Sequence, residues 1–421
     1  RAVEGDGQVA ILFGEAGVGK SRIVDGFLKC ITDEAKGTIY LSCSPFHINS
    51  AFYPLTQCFQ RVMDIRPADS VDQRLSKIEN FISDHDLDLE NIAPPMTAIL
   101  IEATDSPYPP LSGTPEQIKN QIFSAIFKLL ETQCARRPMM FIVEDTHWID
   151  PSTLEFLDQL IPQLRRLRVL LIVAARPSFA ADWSGHPHVT TLMLNRLSRS
   201  DSLAMIGNVT AGKALPEEVI AQIIERTDGI PLFVEELTKT VLESELLVEQ
   251  EDQYVLSGTL SDLAIPNSLQ DSLMARLDNL APVKEVAQLA SVIGRVFSEQ
   301  LLAAVSPLEK GKLSNSLEEL IDAELIFKSG MPPNVIYEFK HALVQRAAFT
   351  SLLKSTRHRH HLRIAETLEE NFPDIVETEP EILAHHYTAA ETFDKAAAYW
   401  QIAGQRASTR WAYKEAIGHL E

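Results

Sequence analysis

The stretch from Gln8 to Ser21, QVAILFGEAGVGKS, decides the fold of this protein. A short, largely apolar run from Gln8 to Phe13 precedes a glycine-rich loop, and an amphipathic segment from Ser21 to Cys30 follows the loop. This order predicts a strand, a loop and a helix. Residues Gly14 to Ser21 complete the pattern G-x-x-x-x-G-K-S, in which glycines let successive backbone N–H groups turn inward around phosphate oxygens.

The side chains of this loop have defined chemical roles. The Lys20 ammonium is expected to bridge β- and γ-phosphates, and the Ser21 hydroxyl is expected to ligate Mg²⁺. The helix that begins near Lys20 directs its positive end at the anion. A chance match in a chain of this length is on the order of a few per cent or less at ordinary residue usage. The sequence therefore predicts ATP or ADP with Mg²⁺, held by Gly14, Glu15, Ala16, Gly17, Val18, Gly19, Lys20, Ser21 and Arg22.

Further apolar runs indicate the class of fold. The segments Thr38 to Cys43, Met139 to Val143 and Val169 to Ala174 are nearly continuous in apolar residues and alternate with helical patterns. Strands of this kind are typical of a parallel sheet that is covered by helices on both faces. We therefore predict an α/β P-loop NTPase core, followed by a mostly helical remainder.

Two carboxylates follow the strand Met139 to Val143. At the carboxyl end of a parallel strand, one acid can hold the Mg²⁺ shell while the other orients or deprotonates an attacking water. By position, Glu144 is the leading candidate for the metal side and Asp145 for the water side, but the reverse assignment stays open. The competing interpretation is a solvated acidic strand end.

Three later residues are weaker candidates. Arg176 follows the strand Val169 to Ala174, where a guanidinium can sense the γ-phosphate, although a surface arginine before a proline gives the same pattern. Pro231 can form a floor for adenine, yet taken alone it marks only a helix stop and restart. His341 has no assigned role from its pattern alone.

A histidine cluster at His358, His360 and His361 raises the question of a metal site. Closely spaced histidines on a basic helix are more often a solvated face, and we favour that interpretation. We predict no metal site there.

Bulk composition limits the partners and the compartment. The chain has 421 residues and a formal net charge of −20, so it repels phosphate backbones and nucleic acid is an improbable partner. The four cysteines, Cys30, Cys43, Cys58 and Cys134, have neither CxxC spacing nor the partner pattern of a zinc site. We therefore expect reduced thiols and a cytoplasmic protein. No apolar run approaches the ~20 residues of a membrane span. Because a strand follows Arg1 almost at once, we expect the chain to be part of a longer protein.

The motifs together resemble those of the signal-transduction ATPases with numerous domains. Within that group the chain is most similar to the ATPase region that accompanies class III adenylate/guanylate cyclase domains, and related regions occur in large bacterial transcriptional regulators. The segments that carry the resemblance are Gly14 to Arg22, Cys43 to Leu55, Val143 to Asp150, Gly229 to Leu237, Ile265 to Leu277 and Tyr337 to Ala347. The usual Gly-Arg-Glu before the first strand is missing, and no cyclase catalytic segment is present.

The resemblance implies an order of domains and two residue roles. It implies a P-loop core over residues 1–195, a helical lid over 196–262, a winged-helix domain over 263–355 and tetratricopeptide-like helices over 356–421. It places Pro231 against adenine and His341 against the β-phosphate of ADP. His147 and Trp148 match the family pattern after the acidic pair and are expected to pack and position that loop.

These observations favour a regulatory ATPase switch that is part of a larger signalling protein. The C-terminal helices are expected to receive a protein partner, and a nucleotide-dependent oligomer is a further expectation. The alternatives are the ATPase module of a transcriptional regulator, a scaffold that holds ADP without turnover, and a P-loop metabolite kinase. A kinase needs a short arginine-rich lid over a second substrate, which the sequence does not offer.

Overall fold

A parallel sheet organises the N-terminal part of the chain. The computed structural model describes residues 1–30, 37–66, 69–101, 107–181, 183–244, 247–257, 268–330 and 335–420. The sheet strands are β1 Gln8–Phe13, β2 Gly37–Ser42, β3 Met139–Glu144, β4 Val169–Ala175 and β5 Val189–Met193. The helices of this part are α1 Lys20–Cys30, α2 Tyr53–Val62, α3 Val71–Asp84, α4 Leu89–Leu100, α5 Pro115–Arg136 and α6 Pro151–Leu164.

The parallel strand order places the loop and the acidic pair at the same end of the sheet, where β1 and β3 have their carboxyl ends. The order is β2-β3-β4-β1-β5, and every pairing is parallel. The predicted parallel P-loop sheet is confirmed. β4 lies between β1, which leads into the loop, and β3, which ends in Glu144. Strand β5 was not predicted, because its residues are exposed or half-buried and form no continuous apolar run.

The segment after the sheet is mainly helical, as expected. It contains α7 Arg199–Val209, α8 Glu217–Thr227 and α9 Pro231–Leu242. A small antiparallel hairpin follows, formed by β6 Leu247–Glu249 and β7 Tyr254–Leu256, which the sequence did not predict. The boundary expected near residue 262 lies outside the described residues.

A third segment combines helices with a small antiparallel sheet. Its elements are α10 Leu269–Asn279, α11 Ala281–Ile293, β8 Val296–Ser298, α12 Glu299–Val305, α13 Lys310–Asp322, β9 Ile326–Ser329, β10 Ile336–Phe339 and α14 Ala342–Ser351. The sheet order is β8-β10-β9, so the predicted hairpin gains a third strand at β8. The winged-helix assignment of this segment stays a prediction.

The chain continues in consecutive helices with short connections. They are α15 Lys354–Asn371, α16 Pro373–Thr378, α17 Pro380–Ala389, α18 Phe393–Thr409 and α19 Tyr413–Leu420. Helices α17, α18 and α19 pack in sequence, as helical repeats do. In the described part of the chain, no helix combines the length and apolarity needed to span a bilayer.

The last helices complete the core of the first segment. Ala407, Ala412 and Ala416 belong to the same buried cluster as Phe52 and Phe156 of the sheet region. Two buried carboxylates reinforce the contact, because Glu381 accepts a hydrogen bond of 2.6 Å from the Ser50 hydroxyl and Glu415 accepts one of 2.7 Å from the Ser152 N–H. The four cysteines are free thiols; Cys30 is exposed and the other three are buried.

Candidate functional site

The glycine-rich loop has the backbone conformation that its sequence requires. Gly17 and Gly19 adopt φ angles of +79° and +101°, a region that residues with a Cβ rarely occupy. Gly14 donates a 3.3 Å hydrogen bond to the carbonyl of Ala175, which fixes the start of the loop to the end of β4. A Cβ atom at Gly14 would lie 2.5 Å from Cγ1 of Val18. The loop therefore curls tightly before α1 begins at Lys20.

Lys20 lies against the loop and faces the acidic strand end. Its Nζ donates to the carbonyls of Gly14 and Glu15, at 2.8 and 3.0 Å. Burial lowers the pKa of Lys20, while the nearby charge of Asp145 opposes that shift. The charge of Glu144 acts on Lys20 in the same direction as that of Asp145. Ser21 and the neighbouring Arg22 are exposed in the first turn of α1, open to a ligand above the loop.

The Glu144 carboxylate is buried, and among the described residues only one of its two oxygens accepts a hydrogen bond. The Tyr40 hydroxyl on β2 donates a hydrogen bond to Oε2 of Glu144. The other oxygen, Oε1, is buried and has no hydrogen-bond partner among the described residues. A buried carboxylate oxygen without a donor is costly, and a cation or an ordered water would satisfy it. Burial and the Glu144 charge both raise the pKa of Tyr40, so the phenol remains a donor.

Asp145 contacts a residue from the third segment of the chain. Asp145 has a φ of +53°, in the left-handed region that Asp tolerates better than most residues. Its Oδ2 forms an ion pair of 2.9 Å with Nη1 of Arg295. The other terminal nitrogen of Arg295 lies 3.1 Å from Oε1 of Glu338 on β10. Arg295, which lies between α11 and β8, thus brings the third segment to the candidate site.

Arg176 and the loop after the acidic pair pack together. The guanidinium of Arg176 lies 5.3 Å from the ring centroid of Trp148, and the residue is half-buried. The His147 and Trp148 rings are 4.2 Å apart. Burial and, next, the Arg176 charge lower the pKa of His147 to about 4, so this imidazole is neutral at pH 7. The positive charge of Arg176 also contributes to the lowered pKa of Lys20, after burial.

The helical segment after the sheet reaches the loop through the start of α9. The backbone N–H of Leu232 donates to the Gly17 carbonyl at 3.1 Å. A Cβ atom on Gly17 would lie 3.2 Å from Cβ of Leu232. Pro231, the residue before this contact, is the first residue of α9 and therefore lies beside the loop.

His341 follows β10 by two residues, and the backbone N–H of Phe339 at the end of that strand donates to the Arg295 carbonyl at 2.9 Å. It directly precedes α14, and its Nε2 is buried without a hydrogen-bond partner among the described residues. Burial lowers the pKa of His341 to about 4, and the positive charges of Lys340 and Arg295 lower it further. A neutral imidazole with an unused nitrogen can accept or donate one hydrogen bond to a ligand.

The contacts connect Asp145 with Arg295, and they connect Leu232, the neighbour of Pro231, with Gly17. No direct contact among the described residues joins Arg22 or His341 to the loop. Two residues that sequence reasoning missed also contact the acidic pair. The missed residues are Tyr40 and Arg295, each of which contacts one member of the acidic pair. Neither belongs to a motif that the sequence singles out. The chemistry of the donors suits Mg²⁺, which prefers carboxylate and hydroxyl oxygens and keeps several waters. No group of three or more His, Cys, Asp or Glu suited to a metal occurs among the described residues, so a cation would depend on few protein ligands.

The fold and this loop define the class of the N-terminal part of the chain as a P-loop nucleotide-binding domain. In agreement, residues 1–173 match the family model described as AAA ATPase domain. The chain resembles a solved structure of a signal transduction ATPase with numerous domains, with a tetratricopeptide repeat sensor, from Pyrococcus horikoshii. That structure has a TM-score of 0.50 and 13% identity, over 99% of this chain and 56% of the other. The resemblance inferred from the sequence is confirmed at the level of the fold.

Sequence relatives extend over the chain but are longer than it. An uncharacterized protein of Rhizobium meliloti is 26% identical over 99% of this chain and 40% of its own length. Adenylate cyclase type 10 of Oryctolagus cuniculus is 19% identical over 81% of this chain and 24% of its own length. The chain thus spans well under two thirds of these relatives.

Proposed function

We propose that this chain is a nucleotide-dependent regulatory ATPase module, in which ATP or ADP with Mg²⁺ lies between the sheet segment, the lid and the third segment. The observation that carries this proposal is that two other segments contact the sheet segment beside the ends of β1 and β3. Leu232 from the lid contacts Gly17, and Arg295 from the third segment contacts Asp145. A ligand bound there touches all three segments, so its identity can bias how they are arranged.

The residues of the site have the following proposed roles. The loop N–H groups, Lys20 and Arg22 hold the phosphates, and Pro231 contacts the base. Ser21 and one acid of the pair hold Mg²⁺, which when bound neutralises phosphate charge. The other acid orients the attacking water.

Two further residues complete the proposed site. Arg176 stabilises the charge that develops on the γ-phosphate as the bond to the leaving oxygen breaks. His341 places its free Nε2 toward the β-phosphate.

Single-turnover hydrolysis of bound ATP tests the proposal. Lys20→Ala removes a charge-assisted contact, for which ~1.5–3 kcal/mol corresponds to about a 10- to 150-fold loss of nucleotide affinity. Hydrolysis in this variant should fall to the background rate. Lys29→Ala is the matched control, because Lys29 is an exposed lysine in the last turn of the same helix. Equal hydrolysis by wild type and Lys20→Ala would refute the ATPase assignment.

The roles of Glu144 and Asp145 can be separated by their Mg²⁺ dependence. The isosteric variants Glu144→Gln and Asp145→Asn should both slow hydrolysis. Only the variant on the metal side should raise the Mg²⁺ concentration needed for tight ATP binding. We place Glu144 on the metal side, because its free Oε1 is buried beside the loop. A shifted Mg²⁺ requirement in Asp145→Asn alone would reverse the assignment.

A second candidate function is a scaffold that holds ADP without turnover. The contact between Arg295 and Asp145 favours it, because that ion pair occupies a candidate catalytic carboxylate. The hydrolysis assay distinguishes the two, since a scaffold binds nucleotide tightly yet gives the same hydrolysis rate with and without Lys20.

The wider context is also a proposal. The named relatives include an adenylate cyclase, and the structural neighbour carries a repeat sensor. We propose that this chain is the regulatory module of a larger cytoplasmic signalling protein and that its C-terminal helices receive a protein partner. A role inside a transcriptional regulator is the alternative. The sequences that flank this chain in the full-length protein would distinguish them, because a cyclase domain supports the first and a helix-turn-helix domain the second.

A further inference from the structure

We infer that Arg295 is an inhibitory positioning residue. Its ion pair keeps the Asp145 carboxylate from orienting the attacking water until the third segment moves. The inference rests on the proposed ATPase function and adds a residue that no motif assigns. Arg295 belongs to the third segment, 150 positions from Asp145 along the chain, and reaches its Oδ2 at 2.9 Å. The contact is therefore present only while the third segment is docked on the sheet segment.

The geometry of the guanidinium fixes it in place. One terminal nitrogen pairs with Asp145, and the other lies 3.1 Å from Glu338. Because a guanidinium is planar and its donors have fixed directions, two carboxylates on different segments hold it more firmly than one. The side chains of Arg295 and Asp145 are 29% and 24% exposed, so water screens the pair only in part.

Two features indicate that this contact serves the site rather than stability alone. The Nε of Arg295 is buried without a hydrogen-bond partner among the described residues, which is unfavourable in a contact formed only for stability. The partner carboxylate also acts electrostatically on Lys20, the residue that meets the phosphates. A cation from another segment thus sits on the one acid of the pair that is accessible to solvent.

The ion pair with Arg295 limits what the Asp145 carboxylate can do in hydrolysis. A carboxylate whose Oδ2 is engaged by a guanidinium has fewer free lone pairs to orient a water. When the third segment moves, Arg295 leaves with it, and the Asp145 carboxylate becomes free. Hydrolysis is then limited by how often the ion pair opens.

Single-turnover hydrolysis by Arg295→Gln tests the inference. This variant keeps much of the side-chain length but removes the charge. We expect its rate to rise about fivefold, the factor that corresponds to ~1 kcal/mol for a partly exposed ion pair. Arg295→Lys keeps the charge without the fork and should give an intermediate rate. An unchanged or lower rate in Arg295→Gln overturns the inference, since a lower rate would mean that Arg295 assists the phosphate chemistry directly.

A matched control removes a different ion pair between segments. Lys239 on α9 pairs with Glu324 of the third segment at 2.7 Å and does not contact Asp145. Lys239→Gln should hydrolyse ATP at the wild-type rate. A rise in this variant equal to that of Arg295→Gln would show that any loosening of the third segment suffices, which overturns a specific role for Arg295.

A salt series supplies a readout that needs no variant to fold. Raising NaCl from about 50 to about 500 mM shortens the screening length and weakens a partly exposed pair. Wild type and Lys239→Gln should speed up with salt, whereas Arg295→Gln should not. A wild-type rate that does not rise with salt overturns the inference.

The failure of the ATPase proposal is distinguishable from the failure of this one. If wild type and Lys20→Ala are equally inactive, inhibition by Arg295 still requires that Arg295→Gln gain measurable turnover. Inactivity of Arg295→Gln in that case overturns the inhibitory role of Arg295 as well. If wild type hydrolyses ATP and Arg295→Gln matches it, only the inhibitory role of Arg295 is wrong.

Discussion

Replacing Glu415 by alanine should loosen the last helices from the nucleotide-binding segment. The Glu415 side chain is 1% exposed, and its Oε1 accepts a 2.7 Å hydrogen bond from the backbone N–H of Ser152, in the first turn of α6. The alanine variant leaves that N–H buried without an acceptor and removes a negative charge from a helix N-terminus. The two losses are ~1.5–3 and ~0.3–1 kcal/mol.

One opposing effect reduces this sum. Asp150 lies next to the same helix start and is fully buried, and burial, aided by the Glu415 charge, raises its pKa to about 7. Removing Glu415 relieves that repulsion. We therefore expect a net loss of about 2 kcal/mol, at the lower end of the range for a lost buried charged hydrogen bond. Glu415→Gln keeps an acceptor oxygen and should lose less than ~1 kcal/mol, the size of an ordinary neutral hydrogen bond.

Native-state hydrogen exchange measures this effect locally. Amides of α6 and α19 should exchange about 30-fold faster in Glu415→Ala, the factor for ~2 kcal/mol of easier opening, and amides of α10 should not change. Exchange in Glu415→Ala that matches wild type would refute the claim that this hydrogen bond holds the repeat helices on the sheet segment. Equal acceleration in Glu415→Gln would show that charge, and not the acceptor, is what matters.

Three more predictions concern the loop, the buried acid and pH. Gly17→Ala strains a positive φ and presses on Leu232, whereas Gly19→Ala is strained in the same sense but meets no other atom of the described residues within 4 Å. Without nucleotide, the free energy of unfolding in denaturant titrations should therefore fall further in Gly17→Ala, and equal losses would contradict the contact with Leu232. Tyr40→Phe removes the hydrogen bond to buried Glu144 and should lower the free energy of unfolding by ~1–3 kcal/mol in denaturant titrations, and an unchanged midpoint would argue against that bond. Burial lowers the pKa of His361 to about 3 in the folded state, so the stability that the neutral imidazole contributes is complete above pH ~6.5 and is lost as the pH falls toward 3. In that pH range the free energy of unfolding of wild type should fall by up to ~1.4 kcal/mol per pH unit relative to His361→Gln. Parallel pH profiles of the two proteins would contradict this prediction.

The central sheet and its loop were predictable because their signals are local. The run QVAILF and the pattern from Gly14 to Ser21 occupy consecutive positions, and the structure has β1, the loop and α1 where the sequence predicts them. The acidic strand end was found for the same reason, since apolar residues over Met139–Glu144 lead directly into the pair.

Elements without a continuous apolar run were missed. Strand β5 is the edge of the sheet and is largely exposed, and β8 is three residues long, so neither gives a periodic pattern that exceeds its surroundings. Such strands form because a neighbouring strand offers its backbone N–H and C=O groups, as β1 does for β5. That partner is defined only by the folded sheet.

The residues that complete the site were missed for a related reason. Arg295 and Tyr40 act through contacts with residues 150 and 104 positions away. A lone arginine after a glycine or a tyrosine inside a strand has many common explanations in a sequence. Only the packing of the third segment and of β2 against the acidic strand end brings these two residues to the candidate site.

The docking of the last helices also affects how the protein is made. Ser152 and Glu415 are 263 positions apart, and at roughly 5–20 residues per second the ribosome needs roughly 13–50 s to travel between them. During that interval the apolar surface that Ala407, Ala412 and Ala416 later cover remains exposed on the nascent N-terminal segment. We expect this segment to depend on chaperones during translation, and truncated chains that stop before residue 407 to aggregate in proportion to the apolar area left uncovered.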